Sequence, residues 1–212
     1  MDHAFIEYLL PSRLCDFDCS PQIRQAATGL AVDVENRVAA ARAISNQVRN
    51  FPYGIEDWDT RASDTLQKRW GMCSGKTNLL VALARSIGLP ARYVVIRIKT
   101  ELPLWEWVAG RDRDLALKMG YPSPEQDHVL AEIYTGSWEK FDVSRDPAFE
   151  TGLKKLNISL ERKPALGDPL ILGSFDEWAL KRQAARRFKE GRSEIFRLIN
   201  LKFDEIRRLA IE

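Results

Sequence analysis

The spacing of apolar residues predicts an amphipathic helix in the first quarter of the chain. After Asp33, steps of three and four residues separate the apolar positions Val34, Val38, Ala41, Ile44 and Val48. This spacing places their side chains on one helical face. The stretch 51–54, Phe-Pro-Tyr-Gly, ends the helix. Residues 55–60 predict a loop, and Asp64 is the expected cap of a short turn that follows it.

A second helix is predicted to be buried on more than one side. Residues 73–87 carry apolar side chains around much of the helix, at Leu79, Leu80, Val81, Leu83, Ala84 and Ile87. Gly88 stands where a glycine closes a helix, and Pro90 cannot continue one. Residues 92–99 then predict a strand whose run 93–96 indicates burial on both faces. We expect this helix and this strand to be central.

Two alternating segments, 129–134 and 138–143, predict a β-hairpin about the turn Thr135-Gly136-Ser137. A three-residue loop sets the cross-strand pairs Tyr134 with Trp138, Glu132 with Lys140, and Leu130 with Asp142. The opposite face then carries Val129, Ala131, Ile133, Phe141 and Val143. We expect that apolar face in the core.

The remaining segments carry weaker patterns. The apolar run 5–10 before Pro11 predicts a short edge strand. Between Ile98 and His128, about 25 residues show no clean element, which is typical of a functional or mobile insertion. After Pro169 the spacing predicts a helical tail that Gly191 divides into two helices. We therefore predict a core domain over residues 1–165 and a C-terminal helical extension over 166–212.

Composition narrows the class of protein. The chain has 212 residues, 45% of them hydrophobic and 29% charged, as in ordinary soluble globular proteins. Its 32 basic and 30 acidic residues nearly cancel, so no overall field favours nucleic acid. No apolar run approaches the roughly 20 residues of a membrane span, and the first residues lack signal-peptide order. We expect a cytoplasmic protein that binds neither nucleic acid nor membrane; its oligomeric state is open.

Three residues stand where nucleophilic catalysis would need them. Cys73 begins the buried helix, and a helix N-terminus favours a thiolate. Of the two histidines, His128 is the candidate base, because His3 lies almost at the terminus. The hairpin register places Asp142 diagonally opposite His128 on one face, where its carboxylate can orient the imidazole. A one-residue slip would separate the two. The alternative orienting carboxylates are Asp127, Glu132 and Asp146.

These residues and their neighbours resemble the transglutaminase-like superfamily. The resemblance is carried by Gly71-Met72-Cys73 with the run from Lys76 to Arg92, and by the run from Asp127 to Tyr134 with Trp138, Phe141 and Asp142. The first stretch is similar to the family's nucleophile helix, and the second to its histidine and aspartate strands. The resemblance implies an α+β, papain-like core in which the cysteine helix packs on an antiparallel sheet. It also implies acyl transfer through a thioester, with a catalytic domain over residues 1–165.

Further residues are assigned around this triad. The backbone N–H of Cys73 and the side chain of Trp70 are the candidate oxyanion donors. Trp58, Trp105 and Trp107 are the candidate residues of a substrate pocket, and the latter two could also cover the cleft as a lid. The sequence has no calcium-loop pattern and no paired Cys-x-x-Cys zinc module, so we expect neither metal nor cofactor. The expected substrate is a peptide, a protein or a small amide, and hydrolysis ranks above transamidation.

Several motifs carry alternative interpretations. Residues 71–77 resemble a phosphate loop, but Trp70 stands where the first glycine would be required. Cys15 and Cys19 have no second pair nearby, which favours packing or an adventitious thiol over metal binding. The basic residues of 181–192 alternate with acidic ones, which favours a solvated helix face. Two functional alternatives stay open: biosynthetic acyl transfer on a small or carrier-bound amide, and a non-catalytic binding module that keeps the fold.

Overall fold

A four-stranded antiparallel sheet and the helices packed on it form the part of the chain that the computed structural model describes, residues 3–30, 36–110, 113–120, 122–185 and 191–211. The strands run in the order β3-β2-β1-β4. Their bounds are Ala91–Lys99 for β1, Glu125–Tyr134 for β2, Trp138–Phe141 for β3 and Leu170–Leu172 for β4. The central pair, β1 and β2, is the longest in register, from Ala91 opposite Ile133 to Lys99 opposite Glu125.

Most of the helices lie in two groups. The helices of the described residues are α1 (Pro21–Leu30), α2 (Arg37–Arg49), α3 (Ala62–Lys68), α4 (Cys73–Ser86), α5 (Leu102–Gly110), α6 (Arg113–Met119), α7 (Pro147–Lys155), α8 (Asp176–Ala184) and α9 (Arg192–Leu209). Helices α1, α2 and α3 surround α4, which packs on β2, whereas α5, α6 and α7 contact α9. Within the described ranges, no helix combines the length and the apolar character needed to cross a membrane.

Two hydrophobic clusters correspond to these groups. The first joins α4 to its surrounding helices and to one face of the sheet, and the second joins α5, α6, α7 and α9. Helices α7 and α9 approach so closely that a Cβ at Gly152 would lie 2.0 Å from the carbonyl oxygen of Ile206. A side chain at this position would therefore push α9 away from α7.

Helix α4 is buried along its length, so its polar side chains must find partners inside the protein. The Nζ of Lys76 donates to the carbonyl oxygens of Phe51 at 2.6 Å, Ser144 at 3.0 Å and Arg49 at 3.2 Å. Burial lowers the pKa of Lys76 to about 7, while the carboxylate of Asp146 opposes that shift. One side chain thus joins α4 to the end of α2 and to the segment after β3.

Arg85 makes the corresponding contacts at the other end of α4. Its guanidinium donates to the carbonyl oxygens of Leu10 at 2.5 Å, Gly173 at 2.6 Å and Ala91 at 2.7 Å. These three carbonyls belong to the N-terminal segment, the residue after β4 and the start of β1. Arg85 therefore fixes the chain on the far side of the helix from Lys76.

The predicted fold class and the hairpin are confirmed. In the observed register Tyr134 faces Trp138 and Glu132 faces Lys140, and the rings of the aromatic pair lie 5.5 Å apart. Glu132 forms an ion pair at 2.7 Å, but with Arg92 on β1. Because β3 ends at Phe141, the predicted pair of Leu130 with Asp142 lies just beyond the ladder.

Several predicted elements were wrong. The run 5–10 belongs to a 3-10 helix, His3–Leu9, instead of a strand. A 3-10 helix repeats every three residues, so Phe5 and Tyr8 lie on one side of it. The ring centroids of Phe5 and Tyr134 are 4.7 Å apart, and those of Tyr8 and Trp138 are 5.3 Å apart. The insertion 99–127 contains α5 and α6, where no clean element was predicted.

Helix boundaries also differ from the predicted ones. Helix α2 begins at Arg37, capped by Asn36, which accepts the Ala39 N–H at 3.1 Å; Asp33 and Val34 lie outside the described residues. The N-cap of α3 is Arg61, so Asp64 lies in the first turn instead of capping it. The tail is not wholly helical, because β4 pairs with β1. The division at residue 165 stays a prediction.

We expect Lys76→Met to destabilise the fold by about 3 kcal/mol, because it leaves three buried carbonyl oxygens without their donor. The free energy of unfolding in urea measures this loss. Lys99→Met, at an exposed position on β1, is the control and should change stability by less than about 0.5 kcal/mol. Equal losses in the two variants would contradict the role assigned to Lys76.

Candidate active site

His128 and Asp142 lie in contact beside the open end of the hairpin. The Nε2 of His128 is 2.8 Å from the Oδ2 of Asp142. The imidazole is 5% exposed and the carboxylate 32% exposed. The register of the hairpin explains the contact. Ala131 pairs with Phe141, and extending this register by one pair toward the open end makes His128 and Asp142 diagonal neighbours on one face. The predicted proximity of these two side chains is therefore observed.

Cys73 is the first residue of α4 and is brought to the same place. Its side chain is buried and lines the same cleft as His128, and its interaction with the imidazole helps to raise the pKa of His128. Glu56 accepts the Met72 N–H at 2.9 Å just before the helix begins. The first helical hydrogen bond runs from the Lys76 N–H to the Met72 carbonyl, so the Cys73 N–H has no acceptor within the helix.

Charges around the pair favour an imidazolium facing a carboxylate. Burial disfavours the charged imidazole, but the Asp142 carboxylate outweighs burial and raises the pKa of His128 to about 9. Burial also opposes the charge of Asp142, yet His128 and Arg162 hold the pKa of that carboxyl well below its usual range. At neutral pH the pair is therefore ionised.

Two residues at this site were missed by sequence reasoning. The Nη1 of Arg162 donates to Asp142 Oδ2 at 2.5 Å, and its Nη2 donates to Ser144 Oγ at 2.8 Å. Ser144 donates to Asp142 Oδ1 through its N–H at 3.0 Å and its Oγ at 2.7 Å. The spacing Asp142-x-Ser144 is typical of an Asx turn and could have indicated Ser144. No pattern in the segment of Arg162 points to Asp142.

The three alternative carboxylates are engaged elsewhere. Asp127 forms an ion pair with Arg182 at 2.7 Å, and Glu132 pairs with Arg92. Asp146 caps α7 by accepting the Phe149 N–H at 2.9 Å, and it pairs with Arg207. Of these four candidate carboxylates, Asp142 is the one that is hydrogen-bonded to His128.

Cys73 and His128 open onto a cleft with a volume of about 390 Å³. Trp58 and Trp105, two of the three residues predicted for a substrate pocket, line this cleft. Trp70 lines a different cavity next to α9, where the Nζ of Lys68 lies 4.5 Å from its ring. Neither Trp70 nor Trp107 is among the described residues that line the cleft. The geometry therefore does not bring Trp70 to the place of an oxyanion donor.

A buried helix that begins with cysteine, packed on an antiparallel sheet that carries histidine next to aspartate, defines a papain-like α+β protein. The family model described as "Transglutaminase-like superfamily" matches residues 24–143, more than half of the 212-residue chain. The chain belongs to the transglutaminase-like superfamily, as the resemblance of its motifs predicted.

A solved structure supports the same fold. A "putative cysteine protease" from Cytophaga hutchinsonii is 25% identical to this chain, with a TM-score of 0.51. The match covers 82% of this chain and 53% of that one, so the present chain spans about half the length of that protein. A comparison with curated proteins found no match.

We expect Asp142→Asn to lower the pKa of the His128 imidazole from about 9 to below its ordinary value of about 6.5, because burial then acts without the opposing carboxylate. Titration of the imidazole signals by NMR measures this change, and a His3→Asn background leaves one histidine to follow. Asp127→Asn removes a neighbouring carboxylate that pairs with Arg182 and is the matched control. An unchanged pKa in Asp142→Asn, or an equal fall in both variants, would contradict this assignment.

Proposed function

We propose that the protein is a cysteine-dependent enzyme that hydrolyses a peptide or amide bond through a thioester on Cys73. The observation that carries this proposal is that Cys73 and His128 line one cleft while the Nε2 of His128 lies 2.8 Å from the Oδ2 of Asp142. The superfamily and the solved neighbour both support cysteine-dependent catalysis in general, without selecting one reaction. A nucleophile, a base and a group that orients the base are the parts that such chemistry requires.

The first half of the reaction forms the acyl-enzyme. A protonated His128 next to Cys73 stabilises the thiolate, which attacks the carbonyl carbon of the substrate and forms a C–S bond. The backbone N–H of Cys73, which has no acceptor within the helix, is the proposed donor to the resulting oxyanion. His128 then gives its proton to the leaving nitrogen as the C–N bond breaks. Asp142 stays ionised and holds the imidazole in place.

The second half returns the enzyme to its starting state. The neutral imidazole of His128 takes a proton from water, whose oxygen attacks the thioester. The C–S bond breaks, the carboxylic acid product leaves, and Cys73 is again a thiolate facing an imidazolium. Hydrolysis ranks above transfer to an amine because the partly exposed Asp142 leaves the site open to water.

We expect iodoacetamide to alkylate Cys73 at pH 6 at least tenfold faster than Cys19, which is exposed. A free thiol is mostly protonated at this pH, whereas a thiolate paired with imidazolium is reactive. His128→Ala should slow labelling of Cys73 by about tenfold or more at pH 6 and by less at pH 9. Site-resolved mass spectrometry measures all three thiols. Cys73 labelling no faster than that of Cys19, and unaffected by His128→Ala, would favour a non-catalytic binding module.

We expect an activated ester to leave a thioester adduct on Cys73 that intact-protein mass spectrometry detects and hydroxylamine removes. Cys73→Ala should show no adduct. In the presence of an added primary amine, hydrolysis should still give mainly the free acid, because water is the proposed acceptor. Quantitative conversion to the amide would replace hydrolysis with transamidation and leave the thioester step intact.

A further inference from the structure

We propose that the cleft next to Cys73 is a specificity pocket for a bulky apolar side chain, carried by one of the two residues on the acyl side of the scissile bond. The proposal rests on the proposed function, since it names the substrate class of the same site. It predicts a peptide or amide donor with an aliphatic or aromatic side chain at the first or the second residue on the acyl side of the scissile bond.

One wall of the cleft is apolar and belongs to the second hydrophobic cluster. Helix α5 contributes Leu104, Trp105 and Val108, and helix α9 contributes Ile199 and Phe203. These side chains pack against one another outside the cleft as well, so the pocket is a continuation of a packed core. Its volume of about 390 Å³ lies within the range of about 300–1,000 Å³ typical of small-molecule sites.

The charged residues that line the cleft already have partners. The ion pairs that involve them are Arg145–Glu101, Arg162–Asp142, Arg182–Asp127 and Glu125–Arg97, the last at 3.3 Å. Thus each described arginine and carboxylate of the lining faces an opposite charge. A charged substrate side chain would find no uncompensated partner and would lose hydration on entry, whereas an apolar side chain gains from leaving water.

The test uses peptidyl chloromethyl ketones that differ in one side chain, Ala, Leu, Phe or Glu, at the first or the second position from the reactive group. The measured quantity is the second-order rate constant for alkylation of Cys73 in the intact chain. We expect the Leu or Phe probe to react roughly 10- to 200-fold faster than the Ala probe at one of the positions. The Glu probe should react no faster than the Ala probe.

A pair of adjacent exposed alanines supplies a matched control. Ala185 lines the cleft, whereas Ala184 ends α8 and is not among the described lining residues. Ala185→Trp should narrow the mouth of the pocket and reduce the preference for Leu or Phe over Ala by at least tenfold. Ala184→Trp should keep that preference, and both variants should keep the reactivity of Cys73 toward iodoacetamide.

The outcomes separate this proposal from the proposed function. If no probe alkylates Cys73 faster than a free thiol, the proposed function fails, and the pocket fails with it. If Cys73 reacts rapidly but with equal rates for all side chains, or fastest with Glu, the apolar pocket is overturned and the proposed function stands. Equal effects of the two tryptophan substitutions would overturn the placement of the pocket at this cleft.

Discussion

The structure depends on a helix that is buried on all sides while it carries polar side chains. Four of those side chains, Lys76, Thr77, Asn78 and Arg85, donate to backbone carbonyls of the surrounding elements, so α4 helps to fix where these elements lie. At the candidate active site one of these contacts continues as a series of interactions. Lys76 donates to the Ser144 carbonyl, Ser144 donates to Asp142, and Asp142 is hydrogen-bonded to His128, which lines one cleft with Cys73 at the start of the same helix. The buried helix is therefore linked to the His128–Asp142 pair through the segment that follows β3.

The carboxylate of Asp142 receives four donors, two from Ser144 and one each from His128 and Arg162. Such a carboxylate stays ionised, so it can orient the imidazole and cannot accept its proton. The two cations share one oxygen, Oδ2, and the charge of Arg162 lowers the pKa of His128 against the larger effects that raise it. This matters because the proposed chemistry requires His128 to release its proton in every turnover. Arg162 thereby limits how firmly Asp142 holds the imidazolium.

The part of the site that the sequence could predict follows from local geometry. A three-residue turn fixes the register of a hairpin, and the register makes His128 and Asp142 diagonal neighbours. Apart from Ser144, the missed features lack such a local rule. Helix α5 has apolar residues around its circumference, so no 3.6-residue period appears, and Pro103 lies in its first turn, where proline is tolerated. Arg162 reaches Asp142 from a segment without regular structure, and its role follows from tertiary packing alone.

The cleft lies where the two hydrophobic clusters meet, with Cys73 in the first cluster and the α5 and α9 walls in the second. Tyr53 packs against both clusters and lines the cleft between them. Its N–H donates to Asp146 at 2.8 Å, its carbonyl accepts from Arg207 of α9, and Arg207 pairs with Asp146 at 2.9 Å. Because Asp146 follows Asp142 by four residues, α9 is tied to the segment that carries the orienting carboxylate. The C-terminal helix therefore holds its wall of the cleft in a fixed relation to the reacting groups, and a shift of α9 would have to break a buried ion pair.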